Sequence, residues 1–216
     1  MRRRRPPTVV NPPSCAEVRE AIDAALSGRG TAGAYTHPLG FIHITLPSPS
    51  SRKLRVHIWL PEAGSRQEES EIHNHGFAFA SRVLTGVVEH QAFELQPHPA
   101  RPDDRSLALV KVQPSQEVTH LVPTGRQIVV RPKQRMQVDA GDFYVFEAGS
   151  FHISRPATER LTVTAIACRK MEGVPSYVLQ RAGKAGAWSP VEFGEGELRR
   201  LLLSVRALVA EPVEHA

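Results

Sequence analysis

Hydrophobic and polar positions change their period twice along this chain. From Ser14 to about Gly30 the period is helical, with Val18, Ile22, Ala25 and Leu26 recurring on one face. Ser14 and Glu17 have capping-box spacing, and Gly28 and Gly30 supply a stop. These features predict a helix over 14–30 that packs its apolar face against the outside of the β core. From about residue 39 the period becomes two. Gly40–Leu46 alternates, as does Arg52–Leu60, where Leu54, Val56, Ile58 and Leu60 share one side and Arg55, His57 and Trp59 the other. Further strands are expected near 71–77, 81–94, 107–113, 117–122, 127–138, 142–147, 150–154 and 161–168. Such a run of short strands, punctuated by Gly, Pro and Asp, predicts an all-β sandwich or barrel. Pro97–Arg105 reads as a surface loop between two of them.

After about residue 170 the helical period returns. A loop with Trp188, Pro190, Gly194 and Gly196 leads into a stripe of Leu198, Leu201, Leu202, Val205, Leu208 and Val209, with Pro212 past its end. That stripe is expected to pack against the barrel. The resulting organisation is a disordered basic tail over 1–13, a helix over 14–30, a β core over 36–170 and a C-terminal helical extension over 171–216.

Composition narrows the partners. With 216 residues, 41% of them hydrophobic and 23% charged, the chain can bury a core of ordinary size. It has no apolar run long enough to span a bilayer, and Met1–Pro7 is not followed by the apolar stretch of a secretory signal. No membrane partner is expected, and a cytoplasmic location is. The net charge of +5 raises the question of nucleic acid. However, four arginines lie in the N-terminal run, and elsewhere basic residues are mixed with acids, without interleaved aromatics; no nucleic-acid partner is expected. Cys15 and Cys168 lack metal-ligand spacing and are expected as small buried hydrophobes.

The candidate chemistry lies in two histidine segments. His73-Asn74-His75 is followed at Gly86 by a glycine, and Gly141–His152 contains Gly149 three residues before its histidine. On a strand, residues i and i+2 point to one side about 6.6 Å apart, so His73 and His75 can converge on one ion. His152, from another strand, is the expected third ligand. Three protein ligands leave coordination positions open for water, oxygen or substrate. Neutral imidazoles suit Fe(II), Zn, Ni or Cu better than Mg or Ca. Glu71 is either a substitute ligand or an exposed carboxylate. His90 is expected either near the site or at the surface, and His98 and His120 at the surface.

The two segments resemble the two motifs of the cupin superfamily. His73, His75 and Gly86 match the first motif, and Gly141, Gly149 and His152 the second. The first motif's usual Glu would fall near Phe79 or Ala80 and is absent; Glu147 and Pro156 replace the usual Pro and Asn of the second. The resemblance covers roughly 36–170. It implies a double-stranded β-helix (jelly-roll) barrel with the two helices outside, and, because cupins often pair through barrel edges, a possible homodimer. Within the superfamily the three-histidine set, and the stretch Leu54–Trp59 ahead of Ile72–His75, resemble the cysteine-dioxygenase-like thiol dioxygenases. That likeness implies that His57 and Trp59 face the pocket, joined by Phe41 and His43 from the preceding strand. Three departures point away from cysteine as the substrate. His43 stands where the carboxylate-holding Arg is usual, Ala80 where some members carry a cross-linked Cys, and Leu161–Cys168 has no His–Tyr pair.

The expected function is a metal-dependent enzyme acting on a small molecule, with a non-haem Fe(II) dioxygenase-like oxidoreductase favoured. A non-redox zinc-type enzyme and a ligand-binding barrel without turnover are the alternatives. His73, His75 and His152 are the expected metal ligands. His57, His43 and Tyr144 are the candidate catalytic groups, and Trp59, Phe41 and Arg55 the candidate substrate contacts. Tyr144 is read either as an inward hydrogen-bond donor or as a packed barrel residue, and Arg55 either as an anion contact or as a rim residue.

Overall fold

The computed structural model describes residues 10–48, 52–61, 72–97, 106–115, 118–157, 160–181 and 183–209. Two helices, α1 (Cys15–Leu26) and α2 (Glu195–Leu208), flank the strands. In chain order these are β1 (Gly33–Thr36), β2 (Ile42–Leu46), β3 (Lys53–Trp59), β4 (Phe77–Thr85), β5 (Val87–Pro97), β6 (Ser106–Pro114), β7 (Thr119–Asp139), β8 (Phe143–Phe146), β9 (Phe151–Pro156), β10 (Thr162–Lys170), β11 (Ser176–Gln180), β12 (Gly186–Trp188) and β13 (Val191–Glu192). One sheet runs β13-β1-β2-β3-β10-β4-β8 and the other β11-β6-β7-β5-β9, with β12 paired to β7. All these pairings are antiparallel.

Period-two alternation divides the first sheet into two faces. Its outer face carries Ile42, Ile44, Leu46, Leu54, Val56, Ile58, Ala165 and Ala167, which form one core cluster with Val18 and Ile22 of α1 and Leu202 and Val205 of α2. The helices thus cover the sheet from outside, and Arg206 of α2 donates to Asp23 of α1 at 2.6 Å. Ser14 caps α1 through the expected reciprocal box with Glu17. The inner face lines a cavity between the sheets.

Several expectations are corrected. His73 and His75 do not lie on a continuous strand; only an isolated bridge occurs there, and the regular ladder begins at Phe77. The expected strand over 81–94 is broken at Gly86. Its φ of +76° favours glycine, and an added Cβ would come within 2.3 Å of Thr162 Oγ1. The two strands expected over 117–138 are one strand, β7, whose pairing with β6 shifts register between Ala108 and Val110. The loop expected before the last helix contributes β11, β12 and β13, because both sheets have edges there to pair with. Leu60 lies past the end of β3 and is exposed. Cys15 opens α1 and is exposed, while Cys168 is buried as expected. Glu71, His98, residues 1–9 of the basic tail and most of the 97–105 loop lie outside the described residues.

Candidate metal centre

His73 occupies a position that secondary structure alone does not reveal. It pairs with His152 on β9 and with Val178 on β11, the two edge strands of the second sheet, and so bridges that sheet's ends. His73 and His152 exchange both backbone hydrogen bonds, at 3.1 and 2.9 Å, which sets their side chains next to each other. Asn74 is buried between the two motif histidines and ties two neighbouring segments together. Its Nδ2 donates to the Gly149 carbonyl at 3.2 Å, and its Oδ1 accepts from the Tyr177 amide at 2.6 Å. The Gly149 amide returns a bond to the His75 carbonyl at 2.9 Å. Gly149, at φ +84°, makes the turn that delivers His152. The two sequence motifs are therefore stapled together by backbone and by one asparagine.

Three imidazoles converge at this junction. One ring nitrogen each of His73, His75 and His152 lies within 4.8 Å of the others. The Nε2 atoms of His73 and His75 are 3.2 Å apart. An ion about 2.1 Å from each nitrogen would hold adjacent ligands about 3.0–3.4 Å apart, so the donor set fits a metal ion. His152 Nδ1 donates to the Ser150 carbonyl at 3.2 Å, which leaves Nε2 as the lone-pair nitrogen facing the group. Burial, followed by the neighbouring histidines, holds the His75 and His152 rings well below the usual histidine range. Both are neutral, as ligands must be.

Of the two positions where a carboxylate ligand might have stood, the structure selects one. Phe79 lines the cavity, 5.6 Å from the His152 ring and 5.9 Å from His75, whereas Ala80 packs in the outer core. A hydrophobic ring thus occupies the ligand face of β4, leaving a centre of three imidazole donors without a carboxylate.

The centre opens into a cavity of about 550 Å³ between the sheets. Phe41, His43, Arg55, His57, Trp59 and Tyr144 all line it. Cross-strand register explains their grouping: Tyr35, His43, His57 and Thr164 stand opposite one another in one row across β1, β2, β3 and β10. A second row runs Thr45, Arg55, Ile166, Ser81 and Tyr144. His43 stacks on Tyr35 at 4.6 Å and lies 5.1 Å from His57, whose Nε2 is buried without a hydrogen-bond partner. Burial lowers His43 to about 3 and His57 well below its usual range, with Arg55 adding to both, so both rings are uncharged at neutral pH. Burial also pushes the Tyr144 phenol up, so that it keeps its proton; Ser81 and Ser154 lie beside it and act in the opposite sense.

His90 is buried and donates to or accepts from Ser154 Oγ at 2.7 Å; it stacks 5.2 Å from His152 but stays outside the converging group. His120 is exposed. The sequence reading missed Tyr35, His37 and Trp188 in the cavity wall, together with Phe77 and the Asn74 staple. Tyr35 reaches the cavity through its pairing with His43, and His37 through the turn between β1 and β2, so parity along one strand does not reveal them. Nor does it reveal Trp188, which reaches the cavity through the pairing of β12 with β7.

No family model matches the chain, and no curated protein matches it. Among solved structures, it is similar to the Drosophila melanogaster CENP-C cupin domain, at 10% identity and TM-score 0.34, over 71% of this chain and 97% of that one. It is also similar to a hydroquinone 1,2-dioxygenase in complex with Cd2+ and 4-hydroxybenzonitrile, at 14% identity and TM-score 0.35, covering 79% and 83%. A third is Cellulomonas parahominis L-ribose isomerase with L-ribose, at 14% identity and TM-score 0.37, covering 79% and 95%. Scores this low carry no weight for function, and the fold assignment rests on the strand order and on the joining of the two histidine segments. The chain folds as a jelly-roll barrel of two antiparallel sheets with two outer helices and a three-histidine group inside it that could hold a divalent metal ion.

Proposed function

We propose that the protein is a metal-dependent enzyme acting on a small molecule, with His73, His75 and His152 as ligands and Fe(II) as the favoured ion. The observation that carries this reading is the convergence of three imidazoles on one side of a roomy cavity. An ion bound there would supply dioxygen activation if it is Fe(II), or Lewis acidity if it is zinc.

The chain's own residues divide the remaining work. Phe79 and Phe77 keep the neighbourhood of the ligands apolar, which limits water near the centre. Tyr144 holds its proton and acts as a hydrogen-bond donor. His43 and His57 are held uncharged by burial, which suits them to orient a polar group of the substrate by hydrogen bonding rather than to hold a proton at neutral pH. Trp59 and Phe41, 5.2 Å apart, form an apolar contact for its body, and Arg55 contacts an anionic group.

The test is elemental analysis of protein purified without added metal, together with oxygen-uptake measurements. Iron near one equivalent with substrate-dependent oxygen uptake is expected. Stoichiometric zinc without oxygen uptake would move the reading to a non-redox enzyme, which the same donor set fits. A His73→Ala variant that keeps full metal content would overturn the shared centre.

A further inference from the structure

The electrostatics of the cavity are one-sided. Among the described residues, no Asp, Glu or Lys lines it, and Arg55 is its only permanently charged side chain. The Arg55 Nε is buried without a hydrogen-bond partner, and its guanidinium lies 4.8 Å from the centre of the Phe77 ring. Arg55 is half-buried, and its buried Nε lacks a compensating acceptor; a divalent ion at the histidines would add charge of the same sign. The cavity wall supplies neither charge with an anion. Phe77 also stacks on His75 at 4.4 Å, so a single ring separates Arg55 from the metal ligands.

The rest of the wall has different chemistry. Along β3, Arg55, His57 and Trp59 face the cavity in succession, so Arg55 and Trp59 are about 13 Å apart at the backbone. At the Trp59 end stand Phe41 and, through β12, Trp188, which lies 5.7 Å from Tyr35. Among the described residues the cavity thus carries its one permanent cation at one end and both tryptophans at the other, with aromatic rings along both. From this layout we propose that its occupant is an arylalkanoate-type anion: a carboxylate held by Arg55 next to the metal ligands, joined by a short linker to a planar ring lying among Trp59, Phe41 and Trp188. This deepens the proposed function and rests on it only in taking the occupant as the substrate.

The chain reports on its own cavity, because its two tryptophans, Trp59 and Trp188, both line it. Intrinsic fluorescence of the full-length protein can be titrated with 3-phenylpropionate, its neutral amide 3-phenylpropionamide, and the saturated analogue 3-cyclohexylpropionate. Saturable quenching or shift by 3-phenylpropionate is expected, with each of the other two at least tenfold weaker. Arg55→Gln is expected to weaken the acid at least tenfold while leaving the amide unchanged. Trp59→Leu, read through Trp188, is expected to bring the aryl and cyclohexyl acids within threefold of each other. Equal binding of acid and amide, or undiminished acid binding by a folded Arg55→Gln, would overturn the proposal. Should that variant not fold, the ranking of the three probes on the unmodified chain decides by itself. Metal content is read separately, so failure of the metal reading leaves this test intact.

Discussion

The cavity holds two sets of histidines, and they behave differently. His73, His75 and His152 come from the junction with the second sheet and turn ring nitrogens toward a common point. His37, His43 and His57 come from the first sheet and its lead-in and turn ring faces toward aromatics: His37 stacks on Phe41 at 4.3 Å, and His43 on Tyr35 at 4.6 Å. In the first set the ring nitrogens also converge on one another, although His75 stacks on Phe77; in the second the rings pack on aromatics without converging nitrogens. Histidine count and burial are similar on the two sides. The convergence of ring nitrogens makes one side a candidate metal centre and leaves the other a wall for a ligand.

The largest expected effect breaks this contrast directly. His152→Ala should lose metal affinity by more than about 100-fold, because two imidazoles remain of three and the turn at Ser150 loses its partner. His57→Ala should leave affinity within a few-fold. Calorimetric titration with zinc or anaerobic Fe(II) reads both, and equal losses would erase the distinction.

A smaller effect is expected at the staple. Asn74→Ala orphans the Gly149 carbonyl and the Tyr177 amide and should cost about 2–4 kcal/mol of stability. It should also weaken metal about tenfold, since it frees the segment that aligns His73 and His75. Denaturant unfolding and metal titration on one preparation check the pair of outcomes.

The pH response should come from the buried neutral rings, His37, His43 and His90 among them. Burial lowers His37 and His43 to about 3 and His90 to about 4, each with smaller contributions from neighbouring charge. In the unfolded chain the same rings titrate near 6.5. Between these values the unfolded state binds more protons, so stability is fully present above about pH 6.5 and is lost as pH falls toward 3–4. Each ring that stays neutral contributes at most about 1.4 kcal/mol per pH unit in that window. Unfolding midpoints should fall from pH 7 to pH 5, and His43→Phe should flatten the curve; an unchanged slope in that variant would contradict its burial as a neutral ring.

The smallest effect is expected at His57. Its Nε2 is buried without a partner, so His57→Phe removes a polar atom that the fold leaves unsatisfied. Stability should stay within about 1 kcal/mol of the unmodified chain, with metal content unchanged. A loss of several kcal/mol would mean that the ring has a structural partner.

Much of this was legible in the chain. Alternation along Leu54–Trp59 separated helix-packing from cavity-facing residues, because a strand buried on both sides still assigns each side chain to one face. The spacing of His73 and His75, and the glycines before His152, identified the three converging residues. Other elements depended on pairing partners remote in sequence. The 71–77 segment reads as a strand, but among its described residues before β4 only His73 pairs, bridging β9 and β11. The 171–194 segment read as loop, yet it supplies strands because open sheet edges were there to receive it.

The sequence by itself determined which residues can carry chemistry here and to which side of each strand they belong, since residue type and local period are properties of the chain. Only the tertiary structure decided that His73 meets His152, that Phe79 covers the position of a fourth ligand, and that Trp188 and Arg55 close one cavity without an acid between them. These are facts of register between distant strands. A one-residue slip in any pairing would have turned the same side chains outward.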